Sequence, residues 1–285
     1  MPVRAFIFCF VAVPLLASAQ VPVATDQPLP DITALMHDVE ANQRKAEAIE
    51  KDYIYHSVTT QQEHDSDGKV KKTTVIGADN YWLEGVPVTR VTSKDGKPLS
   101  DKELAKEDRR IEKDVAKAKE RRAKADSEGK PTDPRGEDLV TVSRLLELGA
   151  FIHPRRVQIG GRSAIAVDFA GDPKAKTRNR MEEVIRDMAG TAWIDEQDRM
   201  LVRVEGRFVD NFKIGAGLFA NIRKGTHFTA QMTKINGEVW LPEEIQAEGA
   251  ARFLLFWNFN GRVEIRFSDY RKFRTSSVIL PTPSR

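Results

Sequence analysis

The stretch from Gly190 to Phe273 constrains the fold more than any other part of the chain, because it reads as a succession of β-strands. Apolar and polar residues alternate through Met200–Val209 and again from Phe228 to Met232. This period of two puts one face of each strand on a core and the other in water. Asn236-Gly237 is a strong hairpin signal, since a type I′ turn requires positive φ at both central residues. Because no helix-length pattern separates the later strands, we expect an antiparallel meander.

One segment of this meander departs from alternation. Residues Phe253 to Trp257 are apolar throughout, and we expect a single strand with two apolar faces there, between a strand closed by Pro242 and a turn at Gly261. A helix, a second sheet, a partner or a hydrophobic ligand must cover its second face. A helix is the commonest cover. The leucine-rich residues 139–148 predict one that ends at Gly149 with a left-handed cap.

The N-terminus has the features of a secretory signal peptide over residues 1–19, followed by a flexible, Pro-rich spacer over residues 20–30. Arg4 precedes a short apolar run, and Ala17-Ser18-Ala19 is a small-x-small cleavage site. We therefore expect an exported, soluble mature chain, with an uncleaved anchor as the weaker alternative. The single cysteine, Cys9, lies in the leader, which excludes disulfides and cysteine-based sites from the mature protein.

Charge is balanced overall and concentrated in residues 100–126. Removing the leader leaves 44 basic and 42 acidic residues, which argues against a general nucleic-acid binder. Ser100 and Glu103 form a capping box, so a helix is predicted to begin there. Its apolar seam is thin, which places the helix at the edge of the domain. A solvated face is favoured over a basic recruitment arm or a coiled-coil partner, because the two signs are mixed. The seam consists of Leu104, Ile111, Val115 and Ala118.

The chain contains no convincing catalytic set. Residues Gly215 to Ala220 match a dinucleotide-binding fingerprint, but antiparallel strands surround them, and a tight bend at a sheet edge explains them better. The acidic residues Asp195 to Asp198 read as a solvated hairpin turn rather than a cation site. We therefore expect no enzyme, cofactor or metal. An envelope hydrolase stays open as an alternative, and it would need His153 or His227 beside a carboxylate in a polar cleft.

Several short segments together resemble the periplasmic outer-membrane lipoprotein-sorting and carrier family with the LolA/LolB-like fold. They are residues 190–195, 201–205, 237–242 and 267–270. The leader and an amphipathic helix capped by Asp31 and running through residue 51 agree with that family in order. The resemblance implies an α+β fold: an incomplete antiparallel β-barrel, or curved meander sheet, with helices covering the concave face. Residues 31–280 would form this single domain, with residues 100–130 as an inserted charged helix and loop and residues 281–285 as a tail.

The resemblance also implies an apolar cavity for acyl chains. We expect a monomeric periplasmic carrier of lipidated or other hydrophobic cargo, which is exchanged against a helical lid. The alternative is a non-transport envelope scaffold or sensor that binds a protein partner through the same fold. Neither hypothesis involves nucleic acid or a membrane span in the mature chain. The residues expected to line the cavity and its lid are Leu145, Leu146, Leu148, Val204, Phe228, Met232, Trp240, Phe253, Phe256 and Ile265.

Overall fold

The computed structural model describes residues 27–214, 220–253 and 257–273. Within them the helices are α1 (Ile32–Glu50), α2 (Asp101–Ser127), α3 (Val142–Leu148) and α4 (Arg180–Arg186). The strands are β1 (Tyr53–His64), β2 (Val70–Leu83), β3 (Val86–Lys94), β4 (Lys97–Pro98), β5 (Gly149–Ile159), β6 (Arg162–Gly171), β7 (Met188–Asp195), β8 (Met200–Phe208), β9 (Phe212–Ile214), β10 (Ala220–Ile222), β11 (His227–Ile235), β12 (Val239–Phe253) and β13 (Trp257–Lys272).

The strands form one curved antiparallel sheet that does not close into a barrel. Its order is β4-β3-β2-β1-β13-β12-β11-β8-β7-β6-β5, so β4 and β5 are the two edges, and β9 and β10 extend it beside β12. From β5 to β8 and from β11 to β13, each strand pairs with the next one in the chain. The Asn236-Gly237 turn has positive φ at both residues. The predicted α+β half-barrel built around a meander is therefore confirmed.

Helix α1 packs across the concave face of the sheet. Asp31 caps it by accepting a hydrogen bond from the Ala34 N–H. Leu35, Met36 and Val39 are buried in its first half, where they join one core with α3, β6 and β7. Its second half lies against a further core under β1 and β12. Most of the stability of this helix comes from burying that apolar stripe, because its polar face is solvated.

Helix α2 builds a separate core on the other face of the sheet. The predicted capping box is present, with Ser100 and Glu103 satisfying each other's backbone N–H groups. The apolar seam of the helix packs on Val86 and Val88 of β3. Because side chains alternate along β2, Tyr81 faces α2 while the buried Asn80 faces the opposite side. The edge helix predicted from the thin seam is therefore confirmed; its buried members are Ile111, Val115, Ala118 and Ala125.

Helix α3 ends before Gly149 as predicted, but the left-handed cap expected there is wrong, and so are the chain breaks expected at Pro242 and Gly261, because long-range packing sets these positions. Gly149 is fully extended, not left-handed, and begins β5, where a Cβ would overlap the Ala170 carbonyl oxygen. Pro242 lies inside β12, opposite Met232 at a shift of register, which is where a strand tolerates proline. Gly261 lies inside β13, and a Cβ there would overlap the Gln62 carbonyl oxygen. These glycines mark close approaches of neighbouring strands rather than turns.

The apolar run from Phe253 to Trp257 does not form the single strand that we expected. Phe253 ends β12, Trp257 begins β13, and the two residues pair with each other. Residues 254–256 lie outside the described residues, as do residues 215–219 of the glycine-rich segment. A short apolar run has the same sequence pattern whether it is one buried strand or the ends of two.

Candidate functional site

An apolar cavity of about 400 Å³ lies on the concave face, between the sheet and helices α3 and α4. Its floor runs along β7 and β8, where Gly190 pairs with Gly206 and Ala192 pairs with Val204. Because Gly190 and Gly206 have no side chains, the inner face of the sheet has a depression at this pair. The wall residues are Met36, Leu145, Phe151, Phe169, Met181, Val184, Ile185, Met188, Leu201 and Phe228; Ala189, Thr191 and Glu205 complete the lining.

The two floor glycines are required for different reasons. A Cβ on Gly190 would overlap the backbone carbonyl oxygen of Glu205, so the bend of the sheet demands glycine there. A Cβ on Gly206 would lie 2.5 Å from Phe228 Cε1 and 2.7 Å from Met188 Cε. These are the tips of movable side chains that line the cavity. Gly190 therefore maintains the sheet, and Gly206 maintains the empty volume.

Helix α4 lies over one part of the cavity and is fixed by a buried ion pair. Arg144 of α3 donates to both carboxylate oxygens of Glu182, at 2.9 and 2.8 Å, and also to the Lys176 carbonyl oxygen. Glu182 is only 4% exposed and accepts a further hydrogen bond from the Arg178 N–H. The guanidinium of Arg144 holds the pKa of Glu182 below its usual value, although burial opposes this shift. Asn179 caps the helix.

The two ends of the cavity differ in exposure. Met181 of α4 is 49% exposed and forms part of the mouth. At the other end Met36 is buried, and it belongs both to the cavity wall and to the core around Ile194. Beyond Met36 the concave face is filled by α1 and α3. The cavity is therefore open on the α4 side and closed on the α1 side.

The structure brings three of the predicted site residues together: Leu145, Val204 and Phe228 line the cavity. Leu146 packs against the α1 core, and Leu148 is fully buried. Three others, on strands β11, β12 and β13, lie outside this cavity lining. Met232 pairs with Pro242, Ile265 pairs with Thr59 and Ile245, and Trp240 packs at a different core. Phe253 ends β12, and Phe256 lies outside the described residues.

The acidic turn between β7 and β8 is an ion-pair network rather than the solvated turn that we predicted. Asp195 is 1% exposed and accepts two hydrogen bonds from Arg162, at 2.6 and 2.9 Å. Asp198 accepts from Arg162, Lys234 and the Trp240 indole N–H. The partners come from strands distant in sequence, so local pattern does not reveal them. Their charges are paired, which makes the turn structural.

Several cavity residues were missed by sequence reasoning: Met36, Phe151, Phe169, Met181, Val184, Ile185, Met188, Gly190 and Gly206. One available signal was the glycine pair. Gly190 and Gly206 lie on the two strands that flank the predicted turn, but the register shift between Trp193 and Ile194 is what places them opposite each other, so the sequence indicates the two glycines without fixing their pairing. Two facing glycines on the inner face of a sheet indicate a hollow or a close approach.

The two histidines considered for a hydrolase lie elsewhere. His153 Nδ1 is 3.4 Å from Asp168 Oδ2, but its side chain is 75% exposed and Asp168 also accepts from Arg155 and Thr191. The exposed His227 contacts the Gly225 carbonyl oxygen. Among the residues with described positions, no cluster of three or more His, Cys, Asp or Glu side chains has the arrangement of a metal site. None of the helices in that part of the chain is long and apolar enough to cross a membrane.

Solved structures that resemble this chain come from lipoprotein-sorting proteins and from a protein complex. A domain assigned to outer membrane lipoprotein-sorting proteins of Vibrio parahaemolyticus is 11% identical, with a TM-score of 0.37, covering 83% of this chain and 91% of that one. A LolA superfamily protein from Nitrosomonas europaea is 9% identical, with a TM-score of 0.28, covering 84% and 94%. The MucA/MucB complex of Pseudomonas aeruginosa gives 9% identity and a TM-score of 0.22, covering 84% and 100%.

The descriptions of the first two structures name the same family as the resemblance noted in the sequence. No protein-family model and no curated protein sequence matches the chain.

Proposed function

We propose that the chain is a carrier or binder of lipidated or other hydrophobic cargo, with an acyl chain held in the cavity over Gly190 and Gly206. The observation that carries this proposal is the chemistry of the cavity, whose walls are almost entirely aliphatic and aromatic. Its volume of about 400 Å³ falls in the usual range of small-molecule sites. A cavity of this kind has few groups with which to orient a polar ligand.

The energetics require a means of release. Burying an acyl chain contributes about 0.8 kcal/mol per CH₂, so roughly 14 carbons would gain about 10 kcal/mol. Cargo held that tightly would leave slowly unless protein side chains replace it. Leu145 of α3 and Met181 of α4 are placed to do this, because both line the cavity and neither belongs to a strand. If the side chains of this two-helix lid replace the cargo in the cavity, the free energies of the loaded and empty protein stay similar, and cargo can be transferred.

The setting of the proposed activity is the periplasm. The leader expected over residues 1–19 supports export, and the lack of cysteine in the mature chain suits a protein that needs no disulfide. We also propose that the chain acts as a monomer, without cofactor, metal or catalysis. The exposed position of His153 favours binding over hydrolysis.

Fluorescent acyl-probe binding to the purified mature protein tests the proposal. We expect saturable binding that weakens at least about tenfold in Met181→Glu, because a carboxylate at the mouth would have to be desolvated when the cargo enters. Ile152→Glu is the matched control: Ile152 is also an exposed apolar residue, at 39%, but it does not line the cavity. Absence of saturable binding by the wild-type protein would overturn the proposal.

A second candidate function is an envelope scaffold that binds a protein through α2. The observation that favours it is the independence of this helix, which has its own core on β3 and contributes no residue to the apolar cavity lining. Exchanging Lys106, Lys113 and Lys117 on its exposed face for glutamate tests this candidate by pull-down from envelope extracts. A carrier retains probe binding in this variant, whereas a scaffold loses its partner.

A further inference from the structure

The closed end of the apolar cavity is formed by a residue that also belongs to the α1 core. Met36 is 6% exposed and packs in the cluster that contains Leu35, Val39 and Ile194. It also lines the cavity, together with Leu201 at the same end. Leu201 pairs with Ile194 across β7 and β8, so the register places the end of the cavity where the packed core begins.

The direction of the cavity follows from the same register. Moving along β7 from Ile194, the floor passes Ala192 and Gly190 before it reaches Met188 beneath α4. A chain that enters at Met181 would therefore run along β7 and β8 toward α1. Met36 would be among the last side chains to meet its terminal methyl group.

We infer that Met36 sets the depth of the cavity and thereby the longest acyl chain that binds well. This inference rests on the proposed carrier function and adds a specificity determinant to it. Methionine suits such a position, because an unbranched, flexible side chain fills the end of a cavity when it is empty and adapts when it is occupied. Behind Met36 the side chains of Leu35 and Ile194 are fully buried, so no further depth is available in the wild-type protein.

Displacement of a fluorescent acyl probe by straight-chain fatty acids of increasing length tests the inference. Wild-type affinity should rise with chain length and then level off. Met36→Ala removes about three methylene-sized groups, so the plateau should move to longer acids, with about fourfold tighter binding for each extra buried CH₂. Met36→Phe should move the plateau to shorter acids. Met36→Leu keeps the volume and should retain the wild-type profile.

Met200→Ala is the matched control, because Met200 is a buried methionine on β8 that does not line this cavity. It should lose stability without a change in the plateau. Wild-type protein that binds acids with a plateau unmoved by both Met36→Ala and Met36→Phe would overturn the role of Met36 and leave the carrier function standing. Wild-type protein that binds no acid would overturn both. If Met36→Ala does not fold, the Phe variant decides the question alone.

Discussion

Two cavities of nearly equal volume lie on different parts of the sheet and have opposite chemistry. The apolar cavity over β7 and β8 measures about 400 Å³, and a second cavity of about 380 Å³ lies between α2 and β3. The second has an apolar floor, but its rim is charged. Its rim residues are Arg110, Asp114, Arg121, Arg135 and Glu137. Volume alone therefore does not identify a binding site in this protein, and the lining chemistry separates the two.

The two cavities also have different structural causes. The apolar one exists because the β7–β8 pair omits side chains at Gly190 and Gly206, so that a helical roof covers a hollow. The charged one exists because a long helix lies beside the edge of a sheet, and arginine side chains fill part of the space between them. The apolar cavity has a lining that suits a hydrophobic ligand. The charged cavity is a gap between a helix and a sheet, and most of its charged side chains are paired with one another.

The largest expected effect concerns the floor of the apolar cavity. Gly190→Ala should destabilise the protein by about 4 kcal/mol or more, because its Cβ would overlap the Glu205 carbonyl oxygen and force two paired strands apart. Gly206→Ala should cost only about 1–2 kcal/mol, since Phe228 and Met188 can move. It should nevertheless weaken acyl-probe binding by filling the hollow. Urea unfolding and probe titration check both, and equal stability of the two variants would contradict this distinction.

A second expectation separates stability from binding. Ile111→Ala should cost about 3 kcal/mol, because Ile111 is buried between α2 and β3 and its truncation leaves a cavity. The acyl probe should bind this variant with unchanged affinity, since α2 does not reach the apolar cavity lining. Leu145→Ala is the counterpart variant. Because Leu145 is half-buried at the cavity wall, this variant should lose less stability than Ile111→Ala, and its affinity for the acyl probe should change. Weaker probe binding in folded Ile111→Ala protein would show that the two regions are coupled.

Local signals in the sequence were sufficient for helices α1 and α2 and for the strands of the meander. Asp31 and Ser100 mark helix starts, because a capping side chain bonds to a backbone N–H only three residues away. The Asn236-Gly237 turn follows from its need for positive φ at both residues. The meander and its α+β class follow from such turns and from the alternation between them.

The sequence predicted that an apolar cavity exists, but it did not predict most of the residues that line it. Leu145, Val204 and Phe228 were chosen as apolar residues of a lid or an inner face, and they do line it. Trp240 was chosen on the same grounds, yet its indole N–H donates to Asp198, which lies 42 positions earlier in the chain. Period-two alternation assigns a face to each residue but does not reveal which strands come together, because strand register depends on the whole sheet.

A third expectation concerns the roof of the apolar cavity and its dependence on pH. Because Arg144 lowers the pKa of Glu182, the ionised pair stabilises the fold above the ordinary glutamate value of 4.5. This stabilisation is lost as pH falls through the lowered pKa in the folded protein. Glu182→Gln should cost about 2 kcal/mol at neutral pH and flatten the acid dependence of stability. Thermal unfolding between neutral pH and pH of about 3 measures this. A variant with the wild-type acid slope would exclude Glu182 as its source.

The smallest effect on monomer stability is expected at the charged cavity. From Val86 to Val91, β3 has no strand partner on the side away from β2 in the described ranges, since β4 pairs only with Ser93 and Lys94. The carbonyl oxygens of successive odd-numbered residues along this edge instead accept from arginines. Arg122 donates to Gly85, Arg135 to Pro87 and Arg110 to Thr89, at 3.2, 3.4 and 2.8 Å. Guanidinium groups thus occupy positions that the N–H groups of another strand would take.

Replacing Arg110, Arg122 and Arg135 together by alanine should change the stability of the monomer by about 1 kcal/mol or less. It should increase concentration-dependent self-association, because an open strand edge pairs with another chain. Sedimentation velocity measures this. Lys106, Lys113 and Lys117 replaced by alanine form the matched control, because they remove the same charge from exposed positions of α2. Equal self-association of the two triple variants would attribute the effect to net charge, whereas association confined to the arginine variant would show that these three arginines, two on α2 and one in the segment after it, protect the sheet edge.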